Sequence, residues 1–157
     1  MTTWHKGHRE IDKLIAQGAL QKVPPNSQWA SKLLDIAAEH LLAADATLEI
    51  SPISSFPLSY DAVHKIFDAI LINQCLRGTT QGGHLVLQHA LQAQLVPPLG
   101  ELIEDFTWMR RLRNADGYPT PDRPLPDMND AREALDIARE LLSKAPSLLK
   151  HMGPYDK

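Results

Sequence analysis

The hydrophobic positions of this chain follow the spacing of amphipathic α-helices. Apolar residues recur three and four positions apart in segments that prolines, glycines or short polar stretches separate. This pattern predicts helices at about 9–17, 27–46, 60–76, 84–94, 99–116 and 130–144. No segment keeps the alternation that is typical of strands. We therefore predict an all-α fold, an up-and-down helical bundle of four long helices with one or two short ones.

Residues with well-known roles at helix ends define most of the predicted boundaries. Gly18 suits the position just after the first helix, and Asn26 or Ser27 can cap the second. Ser59 is the predicted cap of the third helix, after a proline- and serine-rich loop at 47–58. Asp127 or Asn129 can cap the last helix. We expect a single domain over 1–157, with a core at about 9–144 and a tail at 145–157.

The fifth predicted helix places two arginines on its apolar face. On a helical wheel, Arg110 and Arg113 lie within about 60° of Phe106, whereas Arg111 lies on the opposite side. A buried guanidinium needs a partner or an opening. It can pair with a carboxylate on a neighbouring helix, and the acidic partners considered are Asp61, Asp68 and Glu104. It can also extend out to solvent. It can also line an anion-binding cleft or a subunit interface.

Composition narrows the range of functions. The net charge of −3 argues against a surface that coats nucleic acid, so any nucleic-acid contact must be local. The seven histidines show no metal-ligand spacing, and we expect neither a metal site nor a cofactor. Cys75, the single cysteine, is predicted to be a buried thiol. No apolar stretch reaches membrane-spanning length, and we expect a cytoplasmic protein.

The remaining candidates for a functional site are polar and charged residues at the end of the fifth helix. Two guanidinium groups can hold a phosphate through bidentate hydrogen bonds. Asn114 can donate or accept hydrogen bonds beside them, and Tyr118 can fold its hydroxyl back toward Arg113. Together with Arg110 this set can hold a phosphodiester and stabilise charge that develops on it. It contains no evident general base for neutral pH.

At this point the chain resembles the HEPN superfamily, small all-α prokaryotic domains linked to RNA cleavage, nucleotide binding and toxin–antitoxin systems. The resemblance begins with Arg113-Asn114 placed five positions before Tyr118, and it extends over about Ile11 to Leu142. Other segments of the chain carry it too. They are Leu58-Ser59-Tyr60-Asp61-Ala62, Leu76-Arg77-Gly78-Thr79-Thr80, Gly82-Gly83-His84 and, in an alanine-rich last helix, Ala131.

The resemblance implies a homodimer whose two motif copies meet in a cleft. Arg113 would be the catalytic arginine and Asn114 the polar residue after it, while Tyr118 stands where the ribonuclease members carry a histidine. Arg110, His84 and Tyr60 are then candidate substrate-binding residues. Tyrosine, with a pKa near 10, is a weak base compared with histidine. This departure puts nuclease activity in question.

Three functions follow from these features. The first is a metal-independent endoribonuclease of a toxin–antitoxin or defence system, in which His84 or His64 supplies the base across the cleft. The second is a non-catalytic dimeric module that binds RNA or a nucleotide. The third is a protein-interaction subunit with an antitoxin-type partner, in which the arginines are structural and the proline-rich loop at 119–126 is the docking surface.

Overall fold

The computed structural model describes residues 4–81, 85–97 and 99–155, and this part of the chain is an all-α helical bundle. The predicted fold class is therefore confirmed. The helices are α1 (His8–Ala16), α2 (Ser27–Thr47), α3 (Pro52–Asn73), α4 (Leu85–Leu95), α5 (Gly100–Gly117) and α6 (Met128–His151). Two short strands, β1 (Leu20–Lys22) and β2 (Leu76–Gly78), form an antiparallel pair. None of the helices described is both long and apolar enough to cross a membrane.

Helix α3 is the centre of the bundle. It packs against α2 and α6 along much of its length, and it also contacts α4, α5 and β2. Its sequence explains this position, because apolar side chains occur on several of its faces. Phe56, Val63, Phe67 and Ile70 are all fully buried. A helix that is apolar nearly all round has to be surrounded by other elements.

The start of α3 differs from the prediction. The helix begins at Pro52, so the predicted loop at 47–58 is wrong, and Ser59 lies fully buried inside the helix rather than at its cap. Ser51 is the cap, and its hydroxyl accepts a hydrogen bond from the Ser54 amide at 3.3 Å. Pro57 removes one helical hydrogen bond. Packing outweighs this loss, because the buried ring of Phe56 meets Trp108 of α5 edge-on at 5.8 Å.

The chain also remains ordered beyond the predicted end of the last helix. The end near Lys144 is wrong, since α6 continues through Pro146 to His151. The amide of Asn73 donates hydrogen bonds to the carbonyl oxygens of Leu149 (2.8 Å) and Met152 (3.0 Å), which satisfies groups that a helix end leaves unpaired. Residues of the predicted tail, including the buried Met152, therefore belong to the core.

The structure confirms three residues that were predicted at helix ends, namely Gly18, Asn26 and Asp127. Gly18 follows α1 in the left-handed conformation, with φ of 76°, and the Asn26 side chain accepts a hydrogen bond from the Trp29 amide at 3.0 Å. Asp127 and Asp130 form a reciprocal capping box at the start of α6. These local signals need only a few neighbouring residues, which explains why the sequence reveals them.

The strand pair was not predicted. The third helix was expected to reach Leu76, but α3 ends at Asn73, and Cys75 turns the chain into β2 with a left-handed φ of 63°. Cys75 is half-buried, so the prediction of a buried thiol is wrong. Three-residue strands are too short to show alternation, and their register, in which Gln21 lies opposite Arg77, depends on the helices around them.

Candidate anion-binding site

The middle of α5 is anchored to α3 by aromatic rings. Phe106, which is fully buried, stacks on Tyr60 with the ring centres 5.5 Å apart and the planes at 12°. It also meets Phe67 edge-on at 4.8 Å. These contacts set which face of α5 turns inward. Because Arg110 and Arg113 follow Phe106 by four and seven residues, they share that face.

Arg110 and Arg113 are half-buried, and Arg111 is exposed, as the wheel predicts. Both half-buried guanidinium groups act electrostatically on the Tyr60 hydroxyl. Burial raises the pKa of Tyr60 to about 12, while the positive charges of Arg113 and Arg110 oppose the rise and Asp61 adds to it. Tyr60 is 1% exposed and stays protonated at neutral pH. We call Arg110, Arg113 and Tyr60 the arginine cluster.

The two arginines of the cluster have no carboxylate partner in the part of the chain that the structure describes. Within the ranges that the structure describes, neither forms an ion pair, and the Nε atoms of both are buried without a hydrogen-bond partner. Pairing with Asp61, Asp68 or Glu104, one of the structural alternatives, is not seen. Asp68 instead lies 3.3 Å from His64. By contrast, the exposed Arg139 pairs with Asp45 at 3.2 Å.

The end of α5 accommodates Arg113 closely. A Cβ atom at Gly117 would lie 2.7 Å from Nη1 of Arg113, so glycine leaves room for the guanidinium over the last turn. Burial raises the pKa of the Asp116 carboxyl, and Arg113 opposes that rise. The Oδ2 atom of Asp116 is buried and has no hydrogen-bond partner among the described residues. A cation is also favoured near a helix C-terminus.

The remaining motif residues lie apart from the cluster. Asn114 is exposed and lines a cavity of about 460 Å³ together with Arg111, Arg123 and Pro124. Tyr118 is 73% exposed, and its backbone N–H donates to the carbonyl oxygen of Asn114 at 3.0 Å. The structure thus brings Arg110, Arg113 and Tyr60 together and leaves Asn114 and Tyr118 toward solvent. The predicted site residue His84 lies outside the described residues, as do Gly82 and Gly83.

His64, which the sequence analysis gives only as a possible base, lies beside Tyr60 of the arginine cluster. Its ring lies 6.4 Å from that of Tyr60, one helical turn earlier on α3, and its Nδ1 atom faces Asp68 across 3.3 Å. A carboxylate that faces a ring nitrogen of a histidine can orient the ring. The signal was present in the sequence as Tyr60, His64 and Asp68 at successive spacings of four.

The described residues contain no group of three or more histidine, cysteine, aspartate or glutamate side chains arranged to hold a metal ion. No protein-family model matches the chain, and comparisons with curated proteins and with solved structures give no significant match either. The HEPN resemblance therefore stays a prediction that depends on the residues quoted for it.

Proposed function

We propose that this protein is an RNA- or nucleotide-directed protein of HEPN type that holds phosphate with Arg110 and Arg113. One observation carries the proposal. Two guanidinium groups share the inward face of α5, and each has a buried Nε atom without a hydrogen-bond partner among the described residues. Burying positive charge without compensation is costly, and an anionic ligand would offset that cost.

Phosphate suits this arrangement better than a single carboxylate. Arginine presents a planar fork of donors, and two such forks on one helix face can hold several oxygens of a phosphodiester. Asp116, the carboxylate at the end of the same helix, is itself partly desolvated and has a raised pKa. We propose further, from the resemblance, that a homodimer brings two clusters to one cleft.

The first version of this function is metal-independent RNA cleavage. In it, His64 accepts the proton of a ribose 2′-hydroxyl as that oxygen attacks phosphorus, and a protonated group returns a proton to the departing 5′-oxygen. Arg110 and Arg113 stabilise the charge on the phosphorane. Asp68 orients His64, and Tyr118 serves as the acid or as a positioning group. The proximity of His64 to Tyr60 favours this version.

Cleavage is tested by incubating the purified chain with labelled RNA in EDTA. We expect Arg113→Ala to lower the rate by about 10²-fold or more, since it removes a donor to the developing charge. His64→Gln should cost about 10²-fold. Arg139→Ala, which removes an exposed guanidinium elsewhere, should cut like the wild type. No cleavage by the wild type, or equal cleavage by Arg113→Ala, would exclude the nuclease.

The second version is binding without cleavage. It is favoured by Tyr118, which stands at the histidine position of the family's ribonucleases and is mostly exposed. It predicts salt-sensitive RNA binding, and each arginine removed from the cluster should lower the salt slope by about one. Filter binding at several salt concentrations measures this. Unchanged affinity in the Arg110→Ala, Arg113→Ala double variant would contradict both versions.

An antitoxin-type partner protein remains an alternative. The loop after α5 is exposed from Tyr118 to Leu125, which leaves it accessible to another chain. Co-purification with the product of a neighbouring reading frame, lost on deletion of residues 119–125, would support a partner. A stable homodimer that binds no other chain would count against it.

A further inference from the structure

A second cavity, of about 570 Å³, has His64 among its described lining residues and none of the arginine cluster. It lies between the start of α2, the middle of α3, β2 and the start of α4, and Trp29, His64, Lys65, Asp68 and Arg77 are among its lining residues. Its volume falls within the range of about 300–1,000 Å³ that is usual for small-molecule sites. The motif at the end of α5 contributes nothing to it.

The charges of this cavity favour an anion. Lys65 is half-buried and forms no ion pair with any residue that the structure describes. The guanidinium of Arg77 donates a hydrogen bond to the Gln21 side chain on the neighbouring strand at 2.9 Å, and this neutral partner positions the charge without cancelling it. The one carboxylate of the lining, Asp68, faces His64. The lining therefore carries two cationic side chains, Lys65 and Arg77, and one carboxylate.

An aromatic ring stands at the edge of the same cavity. Trp29 is 46% exposed, which is unusual for so large an apolar side chain. Its backbone is held by the hydrogen bond from its amide to Asn26 at the start of α2. Apolar side chains such as Leu33 and Val86 complete the lining. An exposed indole beside an apolar wall is suited to stack on a flat ring.

We propose that this cavity binds a nucleoside monophosphate, with its ring against Trp29 and its phosphate between Lys65 and Arg77. This cavity is a different site from the phosphate site proposed at Arg110 and Arg113, and the present proposal does not depend on that site. The same chemistry is present in a free mononucleotide and in the phosphorylated end of an RNA strand. Both sources are therefore included in the test.

The test is calorimetric titration of the full chain with adenosine 5′-monophosphate, adenosine, inorganic phosphate and a 5′-phosphorylated trinucleotide. We expect the monophosphate to bind with one molecule per chain, and adenosine and phosphate alone to bind at least about tenfold more weakly, because each lacks half of the contacts. Lys65→Gln, Arg77→Gln and Trp29→Leu should each weaken the monophosphate about tenfold. A trinucleotide that binds more tightly identifies an RNA end as the source.

Two control variants make the result specific. Arg139→Gln removes an exposed arginine that is paired with Asp45, and Arg111→Gln removes an exposed arginine of α5 that lies outside the arginine cluster; both should bind the monophosphate like the wild type. Thermal melting confirms that each variant folds. Equal affinity for adenosine and its monophosphate would overturn the proposal, as would unchanged binding in both Lys65→Gln and Arg77→Gln. Loss of binding in Arg113→Gln alone would assign the nucleotide to the arginine cluster instead.

Discussion

The two halves of α5 carry opposite charges and sit in opposite environments. The first half carries Glu101, Glu104 and Asp105, which line a groove of about 500 Å³ that is completed by Glu140 and Lys144 of α6. The second half carries Arg110 and Arg113. Glu101 lies in the first turn, where the helix dipole favours an acidic side chain, whereas the last turn of α5 contains no basic residue. The helix dipole therefore does not account for the positions of the two arginines.

The two halves of α5 differ in how the charges of their side chains are compensated. In the acidic groove Glu140 is paired with Lys144 at 3.1 Å, and both side chains are largely exposed to water, which screens the remaining repulsion. The arginines have no such pair within the described ranges, and their Nε atoms are buried. The half-buried carboxylate of the acidic half, Asp105, can lose its charge by binding a proton, and its pKa is raised. An arginine cannot lose its charge in this way, so a half-buried and unpaired guanidinium needs an anionic ligand. This difference is the physical basis for placing the candidate site at the second half.

The largest effect is expected at Phe106, the residue that both halves share as an anchor. Phe106→Ala should lower the free energy of unfolding by about 3–5 kcal/mol, because it removes a fully buried ring that contacts Tyr60 and Phe67. Urea denaturation followed by circular dichroism measures the change. Leu42→Ala, at a side chain that is 74% exposed, should change it by no more than about 0.5 kcal/mol. Similar losses in the two variants would contradict the assignment of Phe106 as an anchor.

Gly117→Ala should separate function from stability at the basic half. The added methyl would lie 2.7 Å from Nη1 of Arg113, so the end of this flexible side chain has to move. Alanine is otherwise the better helix residue, and we expect no loss of thermal stability. RNA affinity should fall about tenfold, as for the partial loss of one charge-assisted contact. Filter binding beside a melting curve measures both quantities.

The matched control for that change is Gly100→Ala at the acidic end of α5. A Cβ atom there would make only an ordinary contact of 3.8 Å, with Val96. It should leave RNA affinity unchanged. Equal affinity in the Gly117 and Gly100 variants would show that the position of Arg113 does not matter for binding.

The helix that carries the candidate site was largely predictable, but the site itself was only partly so. Phe106, Arg110 and Arg113 fall on one face because helical periodicity is regular, and α5 ends at Gly117, one residue after its predicted end. The sequence does not reveal which charges find partners, because partners come from other helices. The placement of His64 beside Tyr60 follows from their spacing of four on α3, whereas the exposure of Tyr118 depends on where the chain goes after the helix.

The errors in the fold have a common cause. The predicted loop at 47–58 contains Pro57, and the predicted end of the last helix precedes Pro146, yet both prolines lie inside helices. A proline costs one backbone hydrogen bond locally, and this cost is visible in the sequence. Phe56 near the first proline and Ala145 near the second are buried, which stabilises the helices. The residues that bury them are far away in the chain, so this stabilisation is not visible in the local sequence. Local signals predict caps well and helix lengths poorly for this reason.

The smallest effect is expected at Asp105, in the acidic half. Burial raises the pKa of its carboxyl, and the neighbouring charges of Glu133, Glu101, Glu140 and Glu104 raise it further. The folded chain therefore binds this proton more tightly than the unfolded chain does, and stability falls as pH rises from the ordinary aspartate range through the raised folded pKa. Asp105→Asn removes that penalty. At pH 7 it should raise the melting temperature by about 1–3 °C, since solvent screening reduces the effect.

At pH 3, where the carboxyl is protonated in both states, the same substitution should change the melting temperature little, and high salt at pH 7 should shrink the gain. Glu49→Gln, at an exposed position after α2, is the control and should show no such pH dependence. A stabilisation by Asp105→Asn that is equal at both pH values would mean that packing of the amide, and not relief of repulsion, is responsible. A loss of stability at pH 7 would mean that the surroundings of Asp105 stabilise its ionised form, which would contradict the raised pKa.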